Sequence, residues 1–319
     1  MNLPKIHSIS KKILVALIGG FLLIFLLFHA TANLFILRHD DGAWYSAFCH
    51  FMGTNWLVKI MEVCLLGFIA LHLLLTLWLA LTNRMARPVR YHQPQKSKTH
   101  TTSKLMVWTG ILIFACLIFH FYDFYMVKLG WVKGEYMVKV EKLQDEEMMQ
   151  MVQFAQQYGM SPEEMIDELE AQASAYSDKN GDADETTEYI ALMRDKLQVM
   201  DIMQRAYEEG NFSTDRAWIR HLCYDERQTL RRVMPESDPE PDFYYMARQK
   251  FQVWHIVLGY LVFFLIVFLH MRHAFPSAFQ TLGLNNYKYN TAIEVIGKIY
   301  SWLVVLMFAA VPILVYLGM

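Results

Sequence analysis

Five runs of this sequence are too long and too apolar to be core helices of an ordinary globular domain: residues 13–37, 55–82, 105–127, 251–275 and 293–317. Each reaches the roughly 20 residues a helix needs to cross about 30 Å of hydrocarbon. Inside lipid every backbone N–H and C=O must find its partner within the protein, and a continuous apolar run does so as a helix. The chain therefore reads as an all-α membrane protein with five transmembrane helices. The first run is too long to be a removed signal peptide, and it lacks the small-residue cleavage site.

Charge divides the rest. The formal net charge of −2 averages two populations: Val127–Lys250 holds 26 Asp and Glu against 15 Lys and Arg, and the remainder holds 5 acids against 14 bases. An acidic, water-soluble block thus interrupts a basic, apolar chain. Three regions follow: 1–127 with the first three spans, 128–247 as an acidic insertion, and 248–319 with the last two. Asn83–Lys104 carries Arg84, Arg87, Arg90, Lys96, Lys98 and Lys104, and the N-terminus adds Lys5, Lys11 and Lys12. The positive-inside bias places both on the cytoplasmic side, so the insertion lies outside. Cys64 and Cys116 fall inside spans, Cys49 and Cys223 outside them, and there is no C-x-x-C motif.

The first four runs each carry a histidine deep in apolar sequence: His29, His72, His120 and His270. An imidazole that loses its water must find a replacement. At about 1.5 Å per residue, His29 and His120 lie roughly 24 and 22 Å above the inner ends of their spans. The second and fourth spans run the other way, so His72 and His270 lie roughly 24–27 Å below the outer surface. The four form two levels some 15–20 Å apart, His29 with His120 outside and His72 with His270 inside. Two imidazoles at one depth on different helices are what bis-histidine haem ligation requires, and a helix bundle is a usual place for it. The competing account is that each histidine bonds a carbonyl or lines a polar cavity.

Glycine gives a second indication. Gly19 and Gly20 lie at the inner level on the first span, Gly110 at the inner level on the third, and Gly259 at the outer level on the fourth. Each thins a helix beside the histidine pair that helix does not supply, although small residues also serve ordinary membrane packing. His273, beside Arg272, is a rival to His270 but shallower. His255, next to Trp254, reads as an interfacial anchor. His7, His39, His50, His92, His100 and His221 lie outside the spans.

These residues carry a resemblance. SKKILVALIGGFLLIFLLFHATANL, GTNWLVKIMEVCLLGFIALHLLLTLWLALTNRMARP, IFHFYDFY, HMRHAFPSAFQTLG and IGKIYSWLVVLMFAAVPILV resemble the five-helix dihaem cytochrome b subunit of succinate dehydrogenase/fumarate reductase, the b558 type. The resemblance implies a four-helix dihaem bundle plus a fifth helix, with two haem b groups, His29 and His120 ligating the outer and His72 and His270 the inner. It implies a bacterial inner membrane with the N-terminus cytoplasmic. It also implies a flavoprotein with covalent FAD and an iron–sulfur subunit on the cytoplasmic face, in a complex able to dimerise, exchanging electrons with menaquinone. Two departures stand out. Phe268 occupies a position where some members carry a glutamate linked to proton transfer, and the insertion is far longer than the usual connection between the third and fourth helices.

Haem propionates need cationic or hydrogen-bonding neighbours. Arg84, Arg87, Ser103, Lys104, Arg272 and Gln280 are within plausible reach on the inner side, where plain positive-inside flanking accounts equally for the arginines. A quinone needs polar groups beside an apolar cleft. Glu62, ten residues outward of His72, is the leading candidate, with a local pair to Lys59 as its alternative; Tyr122 and Asp123 are weaker ones.

In the insertion, Ser161-Pro162-Glu163-Glu164 is a capping box. A helix is expected to end at Gly210, Ser213 to start the next, and PESDPEPD (235–242) to be a stiff, charged linker. The result is a helical extramembrane insertion. Asp178-Lys179-Asn180-Gly181-Asp182 opens like a calcium loop, but Ala183 replaces the glycine at position six and Tyr189 the glutamate at position twelve. A Cys49–Cys223 disulfide is topologically open. The expected function is a dihaem membrane anchor of a succinate:quinone oxidoreductase, lodged in membrane lipid, binding no dicarboxylate itself and no nucleic acid. The alternatives are the cytochrome b subunit of a hydrogenase or formate dehydrogenase, and a haem-free transporter or receptor.

Overall fold

The computed structural model describes residues 8–86, 101–143, 150, 153, 157–161, 164–168, 170–172, 184–213 and 217–319. Five helices are long and apolar enough to cross a membrane: Ile9–Leu37, Trp56–Met85, Leu105–Lys128, Trp254–Thr281 and Asn290–Tyr316, the first to fifth spans. The chain is an all-α, multi-pass membrane protein. Helix starts follow local chemistry. Asn55 caps the second span, its side chain accepting from the backbone N–H of Leu57 at 2.9 Å and of Val58 at 3.4 Å. Pro276 and Pro312 lie inside the fourth and fifth spans, as membrane helices tolerate when neighbours serve the freed backbone groups. The connection between the first two spans holds a further helix, Ala43–Thr54.

By internal contacts the chain forms two units: Met1–His39, Ala47–Asp123 and Ala247–Met319 in one, Asp40–Ser46 and Phe124–Met246 in the other. In the first, a buried cluster of Ala30, Val267, Met271 and Val304 lies where the first, fourth and fifth spans meet. Tyr300 of the fifth span donates to the Leu23 carbonyl of the first. Gly297 is buried, and an added Cβ there would stand 2.9 Å from the Phe275 ring, so the fourth and fifth spans approach closely because that residue has no side chain.

The second unit is mostly helical but has a small sheet that sequence reading did not anticipate. Its strands are β1 (Tyr136–Lys139), β2 (Trp218–Leu222) and β3 (Glu240–Pro241), in the order β2-β1-β3, antiparallel throughout. The helix Asp184–Glu209 buries Ile190, Met193, Val199, Ile202 and Ala206 at helical spacing. It packs on the helix Tyr224–Val233, and Arg205–Glu226 and Arg232–Asp195, each at 2.7 Å, tie the two together. Gly210, at φ 70°, ends the longer helix, with Asn211 N–H donating to the Ala206 carbonyl at 2.9 Å. The Ser161–Glu164 capping box forms reciprocally, at 2.8 and 3.1 Å.

Two expectations need correction. Ser213 does not start a helix; it exchanges bonds with Trp218, accepting its N–H on Oγ at 3.1 Å, at the lead-in to β2. Residues 235–242 are not a solvated linker. They form a 3₁₀ turn, Pro235–Ser237, then β3, and Asp242 is fully buried, gripping Arg220 at 2.7 and 2.6 Å. Arg220 also donates to the Asp41 carbonyl and lies 4.9 Å from the Tyr244 ring centre. Of the calcium-like pattern, 178–183 lie outside the described residues, and from Asp184 onward it is helix. All four cysteines are free thiols, Cys223 exposed.

Candidate functional site

The first four spans close a ring. The first packs on the second and fourth, the third on the second and fourth, and the fifth lies against the first and fourth. First and third spans are thus diagonal, as are second and fourth, and His29 and His120 meet along the first diagonal.

His29 and His120 stand with ring centroids 6.1 Å apart and planes inclined by 75°. Two imidazole nitrogens bound to one metal at about 2 Å each put the ring centres about 6 Å apart. The pair therefore already has bis-imidazole spacing. Each ring is held. His29 stacks on Phe25 at 5.4 Å and meets Phe308 of the fifth span at 5.7 Å. Asn33, one turn on, donates to the His29 carbonyl at 2.8 Å and stands 3.4 and 3.5 Å from the two ring nitrogens. The Tyr260 hydroxyl of the fourth span lies 3.5 Å from His120 Nδ1. Directly after His120 the helix widens to a π turn, Phe121–Tyr125, a departure frequent at functional sites. Within it Asp123 accepts from Lys250 at 2.7 Å.

On the other diagonal, His72 adjoins Gly19 of the first span and His270 adjoins Gly110 of the third. Thr109 of the third span, only 6% exposed, donates its hydroxyl proton to the Met106 carbonyl at 3.0 Å. Its oxygen is then the acceptor for His270 Nδ1, also at 3.0 Å. With the hydroxyl proton on the Met106 carbonyl, the Nδ1–H tautomer of His270 completes the contact. His72 Nδ1 is buried with no partner among the described residues.

Two of the four glycines lie beside the inner histidines. A Cβ at Gly19 would stand 3.4 Å from His72 Cε1, and one at Gly110 would stand 3.6 Å from His270 Cε1. At Gly20 and Gly259 an added Cβ meets nothing within 4 Å. Gly19 is ten residues from His29, about 15 Å of helix, so the two pairs occupy separate levels. The second span, which carries His72, buries none of its residues.

Among the described residues no group of three or more His, Cys, Asp and Glu gathers to hold a bare metal ion. Two histidines complete a coordination sphere only where the cofactor supplies the other donors, as a porphyrin does. The His29–His120 pair, the glycine contacts beside His72 and His270 and the donor set fit haem.

The other candidates are scattered. Glu62 is half-buried, Tyr122 is 53% exposed, and Asp123 is engaged by Lys250. Arg84, Arg272 and Gln280 are exposed near span ends. Ser103 and Lys104 lie in the first turn of the helix Thr101–His120, with their side chains outside what is described, and Arg87 lies outside the described residues. His255 is exposed beside Trp254. Sequence reading missed Thr109 and Tyr260, although each adjoins a level-marking glycine, Gly110 and Gly259; a polar residue beside such a glycine was the available signal. No family model, curated protein or solved structure matches the chain.

Proposed function

We propose that the chain is a dihaem cytochrome b membrane anchor of a succinate:quinone oxidoreductase, passing electrons between an iron–sulfur subunit and membrane menaquinone. The observation that carries the reading is the His29–His120 pair: two imidazoles from diagonal spans at 6.1 Å, with His72 and His270 each beside a glycine of a neighbouring span. In this reading His29 and His120 hold the outer haem b and His72 and His270 the inner. Bound haem supplies a one-electron couple at each level. Phe25 and Phe308 exclude water from the outer pair, and Gly19 and Gly110 leave room at the inner one.

Arg84, Ser103, Lys104, Arg272 and Gln280 are the propionate candidates, and Glu62, Tyr122 and Asp123 the quinone candidates, Asp123 also pairing with Lys250. The flavoprotein and iron–sulfur partners, the bacterial inner membrane and the cytoplasmic N-terminus belong to the same proposal, supported by the basic residues of the inner segments.

The test is spectroscopic. Purified full-length protein should hold two haem b groups per chain in a pyridine haemochrome assay, and one after His120→Ala or His72→Ala. A colourless preparation after full haem supply overturns the reading. Isolation under mild detergent should bring down flavin and iron–sulfur subunits with succinate-dependent menaquinone reduction; hydrogenase or formate dehydrogenase subunits in their place would overturn the succinate assignment.

A further inference from the structure

We infer that Thr109 and Tyr260 are positioning residues that hold His270 and His120 as their Nδ1–H tautomers and set the two haem potentials independently. The inference rests on the haem reading above.

A metal-bound imidazole donates its second N–H to an acceptor, and that acceptor fixes the ring and raises the basicity of the ligating nitrogen. Each candidate acceptor comes from a span other than the histidine's own. Thr109 on the third span serves His270 on the fourth, and Tyr260 on the fourth serves His120 on the third. The third and fourth spans thus each hold the other's ligand, one contact per level. Their register is fixed at the outer end by Lys250–Asp123 at 2.7 Å, with Asp123 three residues from His120 and Lys250 ten from Tyr260.

The contacts are unequal. The Thr109 oxygen sits 3.0 Å from His270 Nδ1 and 3.0 Å from the Met106 carbonyl, which takes its proton when Nδ1 carries one. The Tyr260 oxygen sits at 3.5 Å, at the edge of hydrogen-bond range, and the bond is correspondingly weaker. A stronger Nδ1–H bond makes Nε2 a better donor and favours the oxidised metal. The inner centre gains more from its threonine than the outer from its tyrosine.

Thr109→Val keeps the shape and removes the acceptor, and Tyr260→Phe does the same at the other level. Redox titration of the purified, haem-loaded full chain, followed at the α band, should resolve two waves. Thr109→Val should move one of them upward, with an about tenfold higher reduced-to-oxidised ratio at fixed potential, which is about 59 mV for one electron. Tyr260→Phe should move the other wave, upward and by less. Haem content is measured on the same samples. Two haems with neither wave displaced, with both waves displaced together, or with both variants acting on the same wave would overturn this inference while leaving the cytochrome reading intact. A colourless wild type overturns both.

Discussion

Gly110 allows the inner level to be tested by volume alone. A Cβ there stands 3.6 Å from His270 Cε1, which is ordinary contact between carbons. Gly110→Ala is therefore expected to keep the His270 ring where it is and to leave haem content unchanged. Leucine carries its methyl groups roughly two bonds, about 2.5 Å, beyond the Cβ. Helical χ1 preferences restrict how those groups can turn away. The neighbouring Thr109 already fixes the ring from the same span at 3.0 Å, so His270 cannot move without losing that bond as well.

Overpacking of this kind costs about 1–3 kcal/mol. At about 1.4 kcal/mol per tenfold, the Gly110→Leu chain should bind its inner haem on the order of five to a hundredfold more weakly. The assay is haem per chain, measured on protein purified at limiting haem, beside Gly67→Leu as a control. Gly67 lies on the second span, is exposed, and an added Cβ there meets nothing within 4 Å. The expected result is selective loss of one haem from Gly110→Leu, with Gly110→Ala and Gly67→Leu unaffected. Full haem content in Gly110→Leu, or equal loss in Gly67→Leu, would refute the argument that Gly110 makes room at the histidine pair.

Three further outcomes are expected. Asp242→Ala strands Arg220, whose side chain is 3% exposed, and should destabilise the acidic unit by about 3–5 kcal/mol; the double change Arg220→Met with Asp242→Leu should cost less. Pulse proteolysis of the full chain in urea reads both, and a double variant less stable than Asp242→Ala would contradict the assignment. Burial, then the negative charges of Asp242 and Glu226, push the Glu135 carboxyl above the usual carboxylate range. The folded state therefore holds that proton more tightly than the unfolded chain, and stability falls as pH rises from the unfolded value through the folded one. Glu135→Gln should be more stable than the parent at neutral pH and lose that advantage in acid; an advantage that grows in acid would reverse the sign. Glu62→Gln should impair quinone turnover with haem spectra unchanged, and normal turnover would remove Glu62 from the quinone site.

Depth along a membrane helix is a one-dimensional quantity, and that is why so much of this site is legible in sequence. Counting residues from span ends places His29 beside His120 and sets Gly19 and Gly110 at the inner level, and these are the contacts found. Rotation about each helix axis is not legible in the same way. Whether Thr109 or a neighbour faces His270 depends on how the third and fourth spans roll against each other, which composition does not fix. The π turn after His120 adds to the difficulty, because it shifts the residues beyond it around the axis. In the acidic unit the misreadings share one cause. PESDPEPD is charged and proline-rich, so it reads as solvated, yet Asp242 is buried because Arg220, 22 residues earlier, reaches it. The strand Tyr136–Lys139 is too short to display a period and is buried at three of its four positions, so alternation had nothing to show.

Lipid also explains why hydroxyls face these imidazoles. A carboxylate is a stronger acceptor for Nδ1–H, but an ionised group within the membrane is expensive unless it is paired. Thr109 is neutral and returns its own proton to the Met106 carbonyl, so it serves His270 without bringing in charge. Tyr260 is likewise an uncharged partner for His120. Asp123, the carboxylate three residues beyond His120, is neutralised by Lys250 at 2.7 Å. Deleting either hydroxyl therefore changes hydrogen bonding while conserving charge, and a displaced wave in Thr109→Val or Tyr260→Phe reports on hydrogen bonding at the ligand rather than on a change of field. A change at Asp123 or Lys250 would unbalance an ion pair as well, and its effect on either potential would mix field with hydrogen bonding.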